Sequence, residues 1–397
     1  MQRLLLLLSA LIFSTTVWTQ DISSWQSHSF AVDNLEDGAV KDFFNPLLAE
    51  TQFIMVGEQH FIQEVGEVTK VIYQLAEAFD YRTLCIENDA LMAEQIAKMA
   101  SAADPIKAAR EFYQQFPTSV AFYENPDDYE LLSYVAKNGG QFWGIDQTLM
   151  AQFRFNFSYL LANTKDAAFA ERLKGLVDTA TTAYKTAIAY NDFQACYYFR
   201  YNEQVNNELL QLAPTAEERE IIFQLGKTKE IYDYNFSGQY YLNNEIRGRL
   251  MKSNFMRYYR AAQEETPLPK VVFKLGSYHT YRGLTPTRIY DVSNLVTELA
   301  NMNGKRSLHL RVLGISGQQR VGFPFAPEPI VSFDNTADFP AEIQEWLVTQ
   351  PEEKYLFLHL EPLRPQARQY SEAMQKLMFA HDVLVLARDA QAVSAFD

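Results

Sequence analysis

Cysteine is nearly absent: the 397-residue sequence holds two, Cys85 and Cys196. That excludes a disulfide-rich framework, and Cys85, inside Leu84-Cys85-Ile86, reads as a small buried hydrophobe. Basic residues are in short supply as well, with 35 Lys and Arg against 49 Asp and Glu and a net charge of −14. No basic stripe interrupts that balance. A nucleic-acid partner, whose phosphates need clustered Lys and Arg, is therefore not expected. After the N-terminal segment no apolar run is long enough to span a bilayer as a stable helix. Several enzyme motifs are also missing: His-Glu-x-x-His, a Gly-Lys-Ser/Thr phosphate loop and a dinucleotide glycine fingerprint. Gly314-Ile315-Ser316-Gly317 is not a nucleophile elbow, because Gln318 stands where the closing glycine belongs. An ordinary serine hydrolase has no nominated nucleophile here.

What is present is ample core material, 48% hydrophobic residues, in an order that alternates strand and helix. Residues 1–20 read as a secretory signal: Arg3, then the apolar run Leu4 to Leu8 and Ala10 to Phe13, then polar residues. On that reading the protein is expected outside the cytosol, secreted or periplasmic. Residues 21–147 form the first part of an α/β domain, with strands at Phe53 to Val56, Thr83 to Glu87 and Gln141 to Ile145. Between the first two, Val65, Val68, Ile72, Leu75 and Ala76 recur at helical spacing, the mark of a βαβ unit. Residues 148–266 lack strand alternation and are rich in tyrosine, which predicts a helical cap inserted between sheet segments. Most of its rings are expected to pack helix against helix. Residues 267–397 return to the α/β pattern, with strands at Val271 to Leu275, Ser307 to Leu313, Lys354 to Leu360 and Asp382 to Leu386. Helices are expected at Val292 to Met302, Ala341 to Val348 and Gln366 to Phe379. The predicted fold is α/β, with a mainly parallel central sheet flanked by helices.

Two similar tetrapeptides stand at strand ends: Gly57-Glu58-Gln59-His60 and Gly276-Ser277-Tyr278-His279. In open α/β sheets ligands bind beyond the carboxyl ends of the strands, so these distant histidines are expected to share one cleft. Glycine before each histidine is read as the freedom the loop needs to bend. Glu87, at the end of the neighbouring strand, adds a carboxylate; its competing role is to support the N-terminus of the next helix. Glu64, four residues after His60, serves either the cleft or the dipole of its helix. Asp146 ends the third strand and is a candidate substrate-binding or supporting group. Arg247, Met251 and Asn254 share one helix face, and a cation there can bind a carboxylate or stabilise an oxyanion. His28, His309, His359 and His381 carry no such signature. The inventory fits a metal site or a metal-free His/Glu cluster.

At these residues the chain resembles the erythromycin-esterase-like superfamily, which includes ChaN-like and TraB/Tiki proteins. The resemblance is carried by Val56-Gly57-Glu58-Gln59-His60, Glu87, Gly144-Ile145-Asp146, Arg247-x-x-x-Met251-x-x-Asn254 and the strand leading to His279. Two features depart from the esterases: a single residue, Gln59, separates the glutamate from the histidine, as in ChaN and Tiki proteins, and Gly276-Ser277-Tyr278 leads the second histidine where esterases tend to show an Ala-His-Asn-like lead. The resemblance implies a shared cleft of His60, His279, Glu58 and Glu87 acting on a small-molecule or peptide substrate. The expected function is hydrolysis of an ester, lactone or related bond. In a metal-free form His60 is the base, Glu87 orients it, and His279 with Arg247 stabilises the oxyanion. In a metal form His60, His279 and one or both of Glu58 and Glu87 hold Zn, Mn or Fe. The Tiki resemblance implies a metal-dependent peptidase, and the ChaN resemblance implies haem or iron binding without catalysis.

Overall fold

The computed structural model describes residues 22–322 and 325–396; the expected signal segment lies outside them. Among the described residues are ten strands: β1 (Ser29–Val32), β2 (Thr51–Glu58), β3 (Thr83–Ile86), β4 (Gln141–Gly144), β5 (Val271–Gly276), β6 (Arg306–Gly314), β7 (Ser316–Arg320), β8 (Ile330–Asp334), β9 (Tyr355–His359) and β10 (Val383–Ala387). Eight form one sheet in the order β1-β9-β10-β6-β2-β5-β3-β4, and β7 and β8 pair as a separate antiparallel ribbon. From β10 to β4 every neighbouring pair is parallel, while β9 runs against both of its neighbours. Every residue of β2 is buried, the near-continuous apolar pattern of a strand covered on both faces.

Helices α1 (Gly38–Ala49), α2 (Gln63–Glu77), α3 (Ala90–Ala100), α4 (Pro105–Gln115) and α5 (Asp128–Lys137) precede or follow the first strands. Val65, Val68 and Ile72 of α2 pack in one cluster with Ile54 and Val56 of β2 and Leu308 and Leu310 of β6. The same apolar cluster continues into α6 (Phe153–Asn163), α7 (Ala167–Tyr190), α8 (Glu203–Leu212) and α9 (Ala216–Phe236). On the opposite sheet face α10 (Tyr240–Gln263) and α11 (Val292–Met302) cover Phe53, Met55, Val271 and Phe273. Beside them α12 (Ala341–Val348) and α13 (Glu372–Ala380) cover Leu356, Leu358, Leu384 and Leu386. The result is a helix-sheet-helix sandwich.

The helical segment is present, but its last helix is shared with the sheet layer: Phe255 and Tyr259 of α10 pack on Phe53 of β2. Many of its aromatics are structural, with Tyr198, Tyr201 and Tyr259 buried, while Tyr190, Tyr240 and Tyr241 are exposed. The helix expected over Gln366 to Phe379 is broken. A 3-10 stretch runs over Glu361–Gln369, and α13 starts afresh after Ser371, whose hydroxyl caps it by accepting from the Met374 N–H. Three features were not expected: the N-terminal strand β1, α1, and the β7/β8 ribbon, whose first strand, Ser316 to Arg320, lacks an apolar run.

The path of the chain explains where a site can form. From β2 it steps to β3 and β4 on one side, and from β5 it steps to β6 and β10 on the other. Neighbours β2 and β5 are thus where the two windings part, the place at which α/β sheets open a crevice beyond their carboxyl ends.

Candidate active site

Glu58 is the last residue of β2 and pairs in register with Gly276, the last of β5, so the two histidine motifs leave adjacent strands together. The glycines do not act as the sequence suggested. Both lie inside strands, and what they provide is room. A Cβ on Gly57 would sit 2.1 Å from Thr280 Oγ1, and one on Gly276 would sit 2.8 Å from His60 Nε2. The bend comes instead at Phe61, a non-glycine residue at φ +67°. The His60 ring stacks on Phe122, itself at φ +64°, with centroids 4.0 Å apart. Left-handed backbone at two bulky residues is a strain that surrounding structure must hold.

Below His60 lies a fixed charge network. Glu58 Oε1 is 2.9 Å from His60 Nδ1, and its Oε2 is 2.6 Å from Lys274 Nζ. Lys274, on β5, also faces Asp128 at the start of α5, 3.4 Å away, and lies over the Tyr123 ring. Burial pushes the Glu58 carboxyl up, but the Lys274 ammonium and the His60 bond outweigh it and hold Glu58 ionised. Burial likewise opposes the charge on Lys274, and Asp128 and Glu58 more than restore it.

A second network stands beside it. Glu87 follows β3 and accepts from the Gly276 N–H at 2.6 Å and from Arg247 Nη2 at 2.7 Å. Arg247 reaches in from α10 and grips Asp146 through two bonds, Nε to Oδ1 at 2.8 Å and Nη2 to Oδ2 at 2.5 Å. His279 Nδ1 is 2.8 Å from Asp291 Oδ2, and its Nε2 is 3.4 Å from Glu87 Oε1. Burial disfavours charge on His279, but Asp291 and Glu87 prevail and its pKa is pushed up to about 10. A carboxylate facing each ring nitrogen favours the imidazolium form of His279. The same contacts hold Glu87 well below the usual carboxylate range although it is fully buried.

His60, Glu58, Glu87, His279 and Arg247 line one cavity of about 830 Å³. Glu58, not Glu87, is the carboxylate bonded to His60. Asp146 stands behind Arg247. Glu64 and Asn254 are placed elsewhere. Glu64 is fully buried under Lys354 and accepts from the Gln391 N–H, and Asn254 donates to the Ile145 carbonyl, securing the exit of β4. His309 and His381 are buried near Asp382, and His359 faces Glu361. Both cysteines are free and buried. Sequence reasoning passed over Lys274 and Asp291. Lys274 was visible as the one charge inside Val271 to Leu275, whereas Asp291 looks in sequence like an ordinary cap of α11.

Glu58, His60 and Glu87 each place one ligand atom within 4.8 Å of the others; His279 is not in that group. The donors do not fit a resident divalent ion well. Lys274 already neutralises Glu58, Arg247 neutralises Glu87, and an added ion would stand against both cations and the His279 imidazolium.

No protein-family model and no curated protein sequence matches the chain. Solved structures do match. A mutant of the erythromycin esterase EreC, in its open conformation, superimposes with a TM-score of 0.61 at 15% identity, covering 93% of this chain and 99% of that one. A protein described as a succinoglycan biosynthesis protein gives 0.58 at 13% identity over 94% and 97% of the two chains. A Bacillus cereus protein gives 0.55 at 14% identity over 94% and 97%. The chain is thus an α/β protein with a charged cleft at the carboxyl edge of a mainly parallel sheet. Its fold is the erythromycin-esterase-like one.

Proposed function

We propose that the chain is a hydrolase that activates water without a metal and cleaves an ester, lactone or related bond. The observation that carries this reading is the Glu58–His60 pair, whose free Nε2 looks into the same cavity as the His279 imidazolium and Arg247. In the proposed reaction His60 Nε2 takes a proton from water as the water oxygen bonds to the substrate carbonyl carbon. Glu58 accepts the Nδ1–H of His60 and stabilises the imidazolium that forms; Lys274 keeps that carboxylate ionised. The oxyanion develops toward His279 Nε2–H and the guanidinium of Arg247, both held in place by carboxylates before the substrate arrives. Collapse of the tetrahedral intermediate breaks the bond to the leaving oxygen, which takes the proton back from His60. The likeness of fold to an erythromycin esterase supports a hydrolase. Export to the periplasm or medium, suggested by the N-terminal apolar run, is part of the same proposal.

The test is turnover of a panel of esters, lactones and peptides by protein purified without added metal, before and after chelation. Hydrolysis that survives chelation is expected. His60→Ala should remove about 10²- to 10⁴-fold of kcat while unfolding stays cooperative, because the His60 side chain is 30% exposed. Turnover abolished by chelation, or a Soret band on haem titration with no hydrolysis, would overturn the proposal.

A further inference from the structure

The cations and acids lining the cavity are nearly all matched. Arg247 has Glu87 and Asp146, His279 has Asp291 and Glu87, Glu58 has Lys274, and Lys376 at the rim has Glu372. Exposed Asp338 apart, the exception is Arg311. It belongs to β6, directly beside β2, where it pairs in register with Gly57, the residue before Glu58. It lines the same cavity as His60. Among the described residues no ion pair or hydrogen bond engages its guanidinium, and its Nε is buried without a partner. The groups around it are Tyr278, Tyr281 and His381, none of them a carboxylate, and burial lowers the pKa of Arg311. Asp338, the remaining carboxylate of the lining, makes no ion pair with it.

A half-buried guanidinium without a counter-ion costs free energy that the paired charges around this cavity avoid. Asp382 shows the contrast: it is clamped by Arg282 at 2.8 Å and Arg364 at 2.6 Å. We propose that Arg311 binds an anionic group of the substrate, a carboxylate or a phosphate, while the ester or lactone of the same molecule lies at His60. Arginine suits this task because its planar fork of donors matches the oxygens of either anion. The position one strand away from the water-activating pair lets one small molecule reach both. The ester part of this statement rests on the hydrolase reading; the anion site does not.

The experiment compares two chromogenic esters with one leaving group, 4-nitrophenyl butyrate and mono-4-nitrophenyl glutarate, and measures thermal shifts with glutarate and with phenyl phosphate. The wild type should favour the anionic ester by about 10- to 100-fold in kcat/KM, the scale of one charge-assisted hydrogen bond. Glutarate or phenyl phosphate should raise its Tm, and the larger shift identifies the anion. Arg311→Gln should collapse the ratio and the shift, and Arg311→Lys should restore part of both. Equal kcat/KM for the two esters with no shift for either anion would refute the anion site, as would an Arg311→Gln variant that keeps the ratio. Anion binding that disappears in Arg311→Gln, in a protein that hydrolyses neither ester, would support the anion site and overturn the hydrolase reading.

Discussion

Asp291→Asn removes the charge that keeps His279 an imidazolium. The Asp291 carboxylate is buried, lies 2.8 Å from His279 Nδ1, and uses its other oxygen to cap α11 by accepting from the Val292 N–H. Asparagine retains the cap through its amide oxygen and turns its NH2, a donor, toward His279 Nδ1, so the substitution removes both the charge and the acceptor of the Nδ1–H while the cap stays. A hydrogen bond to a charged group contributes about 1.5–3 kcal/mol, and at about 1.4 kcal/mol per pKa unit that is a drop of roughly 1–2 units. His279 should therefore titrate near 8–9 instead of about 10. Nitrogen-detected NMR of the imidazole reads this without any substrate. In turnover, the alkaline limb assigned to loss of the His279 proton should move down by the same amount. Stability follows with a definite sign. Because the folded pKa is raised, the His279 contribution is complete below its unfolded value of about 6.5 and is lost as pH rises toward about 10. The variant should lose its smaller contribution at lower pH. A wild-type His279 that titrates near its ordinary value, or one that does not move in Asp291→Asn, would refute the reasoning.

Lys274→Met should destabilise by about 3–5 kcal/mol in urea titration, because Glu58 and Asp128 would be left buried beside no cation; adding Glu58→Gln should recover part of the loss. Gly276→Ala should depress kcat with no change of charge, since its methyl would press on His60 Nε2, and a crystal structure should show His60 displaced from Phe122. His279→Ala should cost far more stability than His60→Ala, about 3–5 kcal/mol for breaking a buried paired charge, because the His279 side chain is 10% exposed and His60 30%; chemical denaturation of the two variants checks this. Asp382→Asn should also destabilise, and it should flatten the acid side of the stability profile. Arg282 and Arg364 overcome burial to hold that carboxyl below its ordinary value, so its contribution is present above about pH 4 and is lost as pH falls.

The central strands and the flanking helices were legible because their apolar spacing is dictated by burial on two faces. Val271 to Leu275 and Val292 to Met302 were found within a residue of their ends. The ribbon of β7 and β8 was not, because Ser316 to Arg320 carries no apolar alternation and is held by pairing to β8. Convergence of His60, His279, Glu58, Glu87 and Arg247 could be argued from position alone, since strand ends of a parallel sheet meet at one edge. The wiring could not. Which carboxylate bonds His60 depends on strand order: β5 lies between β2 and β3, so Glu58 remains with its own histidine and Glu87 is turned toward Gly276 and His279. Glu64 illustrates the opposite failure. Its helical position is compatible with the cleft, yet it turns inward to Lys354 and the backbone of Gln391, residues nearly 300 or more positions away in sequence.

The two histidine motifs look alike in sequence and differ in chemistry because their surroundings differ. His60 is bonded to one carboxylate, Glu58, itself neutralised from behind by Lys274; Glu87 stands within 4.8 Å without a hydrogen bond to it, and the second nitrogen of His60 carries no bond. His279 sits deeper, with carboxylates facing both nitrogens. Two residues of one type in unlike fields divide into a group that accepts a proton and a group that holds one, the division acid–base catalysis needs. Placing both histidines as ligands of one ion would require His279 to shed its proton between Glu87 and Asp291, the two groups that favour keeping it. The carboxylate pairing of His279 is therefore an argument for water activated by His60 with a fixed cationic wall opposite, and it predicts that the two histidines are not interchangeable in any assay that reads charge.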